Sequence, residues 1–419
     1  MAQSAPATSI LELLTHPNPT IHHRKPKSKT NSRKPTYYWP KQIKKWEEFE
    51  DADILKSVFG GSLLQEACQS NRNLPPYPQL HSQAYCIVSD ESDTRDVIHN
   101  WNKWIVSAAL DPIQHVFHPA IWSKGDSPKS KEKHPLPPRQ EERGRNPPSR
   151  RSSNKARQPR SQSLSRLQPD SGSVAWSPLS PNSDIADLSL QERFPKEYKP
   201  STKWKSEGVF KGGLLDNNGK FLRGKISHNL AWPLRQAYTY CIQHMCRYGC
   251  ILTCEEAFIF RIMPREEKPA NHPADVKVLR NELINNGLME YVAIPWDNHS
   301  SGSKEDISAW TVNLALWFVH ILAGNNFEVS WSYLDLTAET LVLSQPDVDI
   351  EQSPLASKKV QDIGVAQDKQ DEDEQSETSE ESDTTNIRTP LISKRKRNTD
   401  DEEEEEDGFH LSFSKRKNI

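Results

Sequence analysis

Apolar residues fall into a few dense patches, and polar or proline-rich stretches separate them. "SILELL" near the N-terminus is a short apolar piece suited to a docking helix. Through "IKKWEEFEDADILKSVFGGSLLQEAC" the apolar positions recur at helical spacing, which predicts helix over 41–70, broken in two at Gly60-Gly61. "QAYCIVSD" reads as a short strand. "DTRDVIHNWNKWIVSAAL" reads as a helix with Val97, Ile98, Trp101, Trp104, Ile105 and Ala108 along one side, ending near Asp111-Pro112. After a long polar stretch, "SGSVAW" alternates like a strand and "ERFPKEYKPSTKW" carries a second one. "NLAWPLRQAYTYCIQHMCRYG" predicts a long helix, with Pro233 in its first turn and Gly249 as its terminal glycine. "CILTCEEAFIFRIM" follows as a hairpin turning at Thr253–Glu256, "GLMEYVAIPW" as a strand, and "SAWTVNLALWFVHILAGNN" as a buried helix. Helix, strands, helix, hairpin, strand, helix is a mixed α/β order.

The stretches between the patches set the organisation. Residues 1–35 read as a flexible basic arm, because "HHRKPKSKTNSRKP" has nothing to bury. Residues 36–122 form the helical N-terminal part of the folded body. Residues 123–165 are rich in proline, serine, lysine and arginine and read as a disordered insertion. Such an insertion costs little loop-closure entropy and interrupts a domain without dividing it. Residues 166–342 carry the α/β core, and 343–419 form a disordered acidic tail with the basic clusters "KRKR" and "KRK". The net charge of −3 and mean hydropathy of −0.81 therefore average over unlike parts.

Several chemistries are excluded or set aside. Without a secretory h-region, the six cysteines read as reduced thiols. The spacing of Cys246, Cys250 and Cys254 is not that of a zinc finger or ribbon, so packed small residues are the expected reading. No apolar run reaches membrane-spanning length, so no membrane partner is expected. "GNN" and "KGG" lack the spacing and lysine of a phosphate-binding loop, and the kinase signatures are missing.

Asp170, Glu197 and Lys199 carry the candidate chemistry. Metal-assisted hydrolysis of a phosphodiester needs oxygen ligands for Mg²⁺ and a cation near the attacked phosphorus. On a strand, a Glu-x-Lys places both side chains on one face, and an Asp on a neighbouring strand can share the metal. E-x-K is also a common tripeptide that often marks only a solvated ionic face. The wording around these residues adds a family likeness. "PDSGSVAW", "FPKEYKPSTKW", "LRQAYTYCIQHMCRYGCILTCEEAFIFRI", "MEYVAIPW" and "TVNLALWFVHILAGNN" together resemble a group of fungal proteins related to the PD-(D/E)XK, restriction-endonuclease-like, nuclease superfamily. The likeness covers residues 80–120 and 166–335.

That resemblance implies a restriction-endonuclease-like core, with a mixed sheet flanked by helices. It implies Asp170 and Glu197 as ligands of Mg²⁺ (or Mn²⁺), Lys199 as the catalytic lysine, and Gln236 as a further polar site residue. A helical glutamate also serves some members, and Glu66 is the nearest candidate. Asp184 and Asp187, within the excursion between the two strands, are alternatives to Asp170. The implied function is a metal-dependent nuclease; the alternatives are a catalytically silent nuclease-like module that binds nucleic acid or protein, and an interaction protein whose arms do the binding. Nucleic acid is the expected partner, met through the basic arm and insertion and through a rim of Lys203, Lys205, Arg223 and Lys225 with Trp204. The acidic tail suits a basic nuclear protein, and the two basic clusters suit nuclear import.

Overall fold

The computed structural model describes residues 7–26, 28, 30–80, 86–123, 167–175, 191–266, 268, 275–300, 307 and 309–341. The insertion proper, Asp184, Asp187 and the acidic tail with its basic clusters lie outside these residues.

The chain opens with α1 (Ile10–Thr15), β1 (His22–His23) and β2 (Gln42–Lys45), and 3-10 turns lead to α2 (Ser62–Ala67). Then come β3 (Ile87–Val88), α3 (Glu91–Ile98), a π-helical turn (His99–Lys103), α4 (Trp104–Leu110), α5 (Gln114–Phe117) and β4 (Ala120–Ser123). The second part holds β5 (Gly172–Ala175), β6 (Lys196–Tyr198), α6 (Ser206–Phe210), α7 (Ala231–His244), β7 (Tyr248–Leu252), β8 (Glu256–Pro264), α8 (Val276–Asn286), β9 (Gly287–Pro295) and α9 (Val312–Asn325). The expected mixed α/β class is what the chain adopts.

The main sheet has the order β2-β9-β8-β7-β6. β8 runs antiparallel to both neighbours, while β6 is parallel to β7 and β2 is parallel to β9. α7 makes the crossover that a parallel β6–β7 pair requires. Alternation along β8 sorts the two cores. Ala257 and Ile259 join α1, α4 and α9 on one face, whereas Phe258, Phe260 and Ile262 join α7 and α8 on the other. Both faces are covered, so the central strands read as unbroken apolar runs rather than alternating ones.

Four expectations need adjustment. Residues 42–45 form an edge strand, not helix: Ile43 is buried, and the lysines beside it face outward as edge lysines do. α7 ends at Met245 in the left-handed region (φ 52), and Gly249 sits inside β7. A Cβ on Gly249 would stand 2.5 Å from Phe260 Cζ and 2.7 Å from Cys241 Sγ, so close packing explains the glycine. α8 was not foreseen, because only Leu279 and Leu283 along it are buried and the apolar stripe is thin. Within the segment read as an arm, α1 buries Ile10, Leu11, Leu13 and Leu14 in the core. Among the described residues no helix is long and apolar enough to cross a membrane.

Candidate active site

β6 is short because Pro200 follows two residues after its last position, and proline cannot extend a ladder. Its alternation sends Glu197 and Lys199 to one face and Lys196 and Tyr198 to the other. The parallel register sets Glu197 beside Ile251 of β7, on the α7 side of the sheet. The Lys199 N–H, which donates to Leu252 O at 3.0 Å, continues the ladder past the strand's end. Glu197 and Lys199 are each only 1% exposed.

Lys199 Nζ donates to Glu197 Oε1 at 2.6 Å and to Glu91 Oε1 at 3.0 Å. Glu91 opens α3, whose first turn Asp90 caps by accepting from the Ser92 and Asp93 N–H groups. Asp170 directly precedes Ser171, which forms a two-way backbone bridge with Lys196. That bridge brings Asp170 alongside β6, where its Oδ2 accepts from the Tyr198 N–H at 2.9 Å. Asp170, Glu197 and Lys199 are thus gathered at one place, with Glu91 added from α3. Gln236 lies on α7, and its Nε2 donates to the Tyr240 hydroxyl at 2.7 Å. Burial first, and the charge of Glu197 second, raise the pKa of the buried Tyr37 and Tyr240 hydroxyls.

Lys196 anchors the two strands from the opposite face. It is fully buried, and its Nζ donates to Ser173 Oγ (2.5 Å), Phe194 O (3.0 Å) and Gly172 O (3.3 Å). The rings of Phe194 and Trp122 lie 4.2 and 4.7 Å from the ammonium. Burial lowers its pKa to about 8. β5 and β6 are therefore tied by backbone bonds and by this side chain, and the tie holds Asp170 in register with Glu197.

The electrostatics are those of a desolvated charge cluster. Burial pushes the Glu197 carboxyl up to about 8; Lys199 opposes the rise and Asp170 adds to it. Burial alone would lower Lys199, but Glu197, Glu91 and Asp170 outweigh it and hold the ammonium protonated. Asp170 has exposed surface, yet surrounding atoms crowd its carboxyl and desolvation raises its pKa, against the Tyr198 N–H and Lys199. Glu197 Oε2 is buried without a hydrogen-bond partner, and so is Gln236 Oε1. An orphaned carboxylate oxygen in a desolvated recess is costly unless a cation or donor meets it. Among the described residues, no group of three or more histidine, cysteine, aspartate or glutamate side chains gathers as a metal centre. Mg²⁺ does not require one, since it is commonly held by one or two carboxylates together with waters and substrate phosphates. Oxygen donors of the kind Mg²⁺ takes are present in Glu197 Oε2 and in the Asp170 carboxyl beside the same strand.

Other candidates sit elsewhere. Glu66, the helical glutamate expected from the resemblance, is on α2 and pairs with Arg72. Glu91, which the sequence reading did not single out, is the helical glutamate that meets Lys199. Trp204 is 1% exposed and donates to Leu230 O, so it offers no stacking face. Comparison with family models, with curated proteins and with solved structures finds no match.

Proposed function

We propose that this protein is a metal-dependent nuclease of the PD-(D/E)XK type, hydrolysing phosphodiester bonds of nucleic acid with Mg²⁺ or Mn²⁺. The observation that carries this reading is the buried Glu197–Lys199 pair, with Asp170 hydrogen-bonded to the peptide between them and one Glu197 oxygen left orphaned. A buried carboxyl–ammonium pair contributes little net stability, and an incompletely satisfied one contributes less. A functional role accounts for the pair better than a structural one.

When bound, the metal would supply Lewis acidity and charge neutralisation at the phosphate. Asp170, just before β5, and Glu197, in the middle of β6, would hold it. Lys199, kept cationic by three carboxylates, would stabilise the extra negative charge as water oxygen bonds to phosphorus and the P–O ester bond breaks. Glu91 would orient Lys199, and the burial of Glu197 and Lys199 would keep bulk water from them. The nuclear location expected from the tail belongs to the same proposal.

The test is a cleavage assay on DNA and RNA with Mg²⁺ or Mn²⁺, comparing the wild-type chain with Lys199→Ala. Loss of one such charge stabiliser is expected to slow cleavage by about 100-fold or more. Metal-dependent cleavage at an undiminished rate would remove Lys199 from the mechanism. Metal binding without cleavage of any nucleic acid would favour the silent binding module.

A further inference from the structure

The described residues between His22 and Lys34 are fastened at two points, His23 and Asn31, to segments that include the one following Lys199. β1 pairs in parallel with β3, His22 with Ile87 and His23 with Val88, and the Arg24 N–H donates to Val88 O at 2.8 Å. β3 leads within three residues to Glu91, the partner of Lys199. His23 Nδ1 and Ser201 Oγ share a hydrogen bond of 3.1 Å, two residues beyond Lys199. Farther along, the Asn31 N–H donates to Asn229 Oδ1 at 2.9 Å, and Asn31 Nδ2 reaches Lys203 O at 3.4 Å. Its described residues form a strap held at His23 by β3 and Ser201 and at Asn31 by Asn229, with a longer bond to Lys203.

Its charge is one-sided. Arg24, Lys25, Arg33 and Lys34 are exposed, and Lys203 is half-buried. None of these five has an ion-pair partner among the described residues. The carboxylates of the same neighbourhood are already engaged: Lys205 and His23 hold Glu255, and Lys211 holds Glu207. Lys203 and Lys205 line a cavity of about 430 Å³ that begins at Ser201. Four residues span at most about 14 Å, so Lys203 lies within a few nucleotide steps of Lys199.

We infer that the strap and Lys203 form a track for the sugar–phosphate backbone of the nucleic acid, flanking the phosphate to be cleaved. The inference rests on the proposed phosphodiester chemistry for its purpose, and its test is separate. Arg24, Lys25, Arg33 and Lys34 serve as exposed cations to successive phosphates, and Lys203 grips the one nearest the site. Recognition through such contacts is independent of sequence.

The experiment measures binding of the full chain to a short labelled DNA duplex of mixed sequence, in chelator, across a salt series. Substituting Arg24, Lys25, Arg33 and Lys34 together by alanine is expected to flatten the slope of log K against log salt by about 3.6, at about 0.9 per phosphate contact. Lys203→Ala is expected to flatten it by about 0.9 and to weaken binding near physiological salt by several-fold to about tenfold. Calorimetric Mn²⁺ affinity is expected to stay unchanged in both variants, which shows that the fold and the metal site persist. An unchanged salt slope with Mn²⁺ binding intact would overturn the track. So would polyglutamate that binds as tightly and responds identically to the substitutions, because the strap would then be a site for acidic protein. A wild-type chain that binds duplex with the expected slope but takes up no Mn²⁺ would instead sink the catalytic reading and leave the track standing.

Discussion

Glu197 carries the charge state on which the proposed chemistry depends. Its folded pKa of about 8 stands above the ordinary 4.5. Between those two values the folded protein keeps a proton that the unfolded chain has released. This group's contribution to stability is therefore present in full below about pH 4.5 and is lost as the pH rises through about 8. A metal ion must displace the same proton, so its affinity runs the other way. Mn²⁺ affinity is expected to rise about tenfold per pH unit toward pH 8 and then level off. Calorimetric titration across that range checks it, and a flat profile in the wild-type chain would remove Glu197 as a ligand. Glu197→Gln is expected to abolish the dependence together with most of the affinity. Legibility at this scale was uneven. Glu197 and Lys199 were readable because a strand of period two puts positions two apart on one face. Glu91 was not, because nothing near it in the chain records that it meets Lys199, 108 positions away.

At the scale of elements, local pattern and tertiary context divide the outcome between them. α9 follows its pattern closely: Thr311 caps it by accepting from the Leu314 N–H at 3.1 Å, and its apolar run is buried throughout. The same hydroxyl donates to Leu14 O at 2.7 Å and ties α9 to α1. Thr311→Ala is expected to cost about 1–2 kcal/mol in urea denaturation, and Thr311→Ser far less, because the serine keeps both bonds. A loss of similar size in both variants would show that the methyl group, not the cap, matters. β2 went against its pattern. Its residues suit a helix when read alone, but the free edge of β9 offers backbone partners from Gln42 to Lys45. Strand pairing with a distant segment outweighs a helical propensity worth only tenths of a kcal/mol per residue. β5 and β6 were both anticipated, yet their mutual register was not. The Ser171–Lys196 bridge and the caged Lys196 ammonium determine it, and neither leaves a local signature.

The whole molecule depends on its first turns. α1 contributes Ile10, Leu11, Leu13 and Leu14 to the core shared with α4 and α9. At about 1.5–3 kcal/mol per buried side chain, an upper estimate for the four is comparable to the total stability of an ordinary domain. A chain lacking residues 1–15 is expected to lose cooperative unfolding in urea, monitored by circular dichroism. A cooperative transition at the wild-type midpoint would show that α1 is dispensable. By itself the sequence determined the α/β class, the order of the major helices and strands, and the pairing of Glu197 with Lys199 on one face. Those features follow from short-range periodicity and from the chemistry of turns and caps, which neighbouring residues encode. Only the tertiary structure decided that Asp170 reaches the Tyr198 N–H, that Glu91 rather than Glu66 joins the lysine, and that His23, in the basic arm, is fastened to Ser201 next to the site. Each of these is a contact between segments far apart in the chain, selected by burial and hydrogen bonding in the assembled core, and no local pattern carries that information.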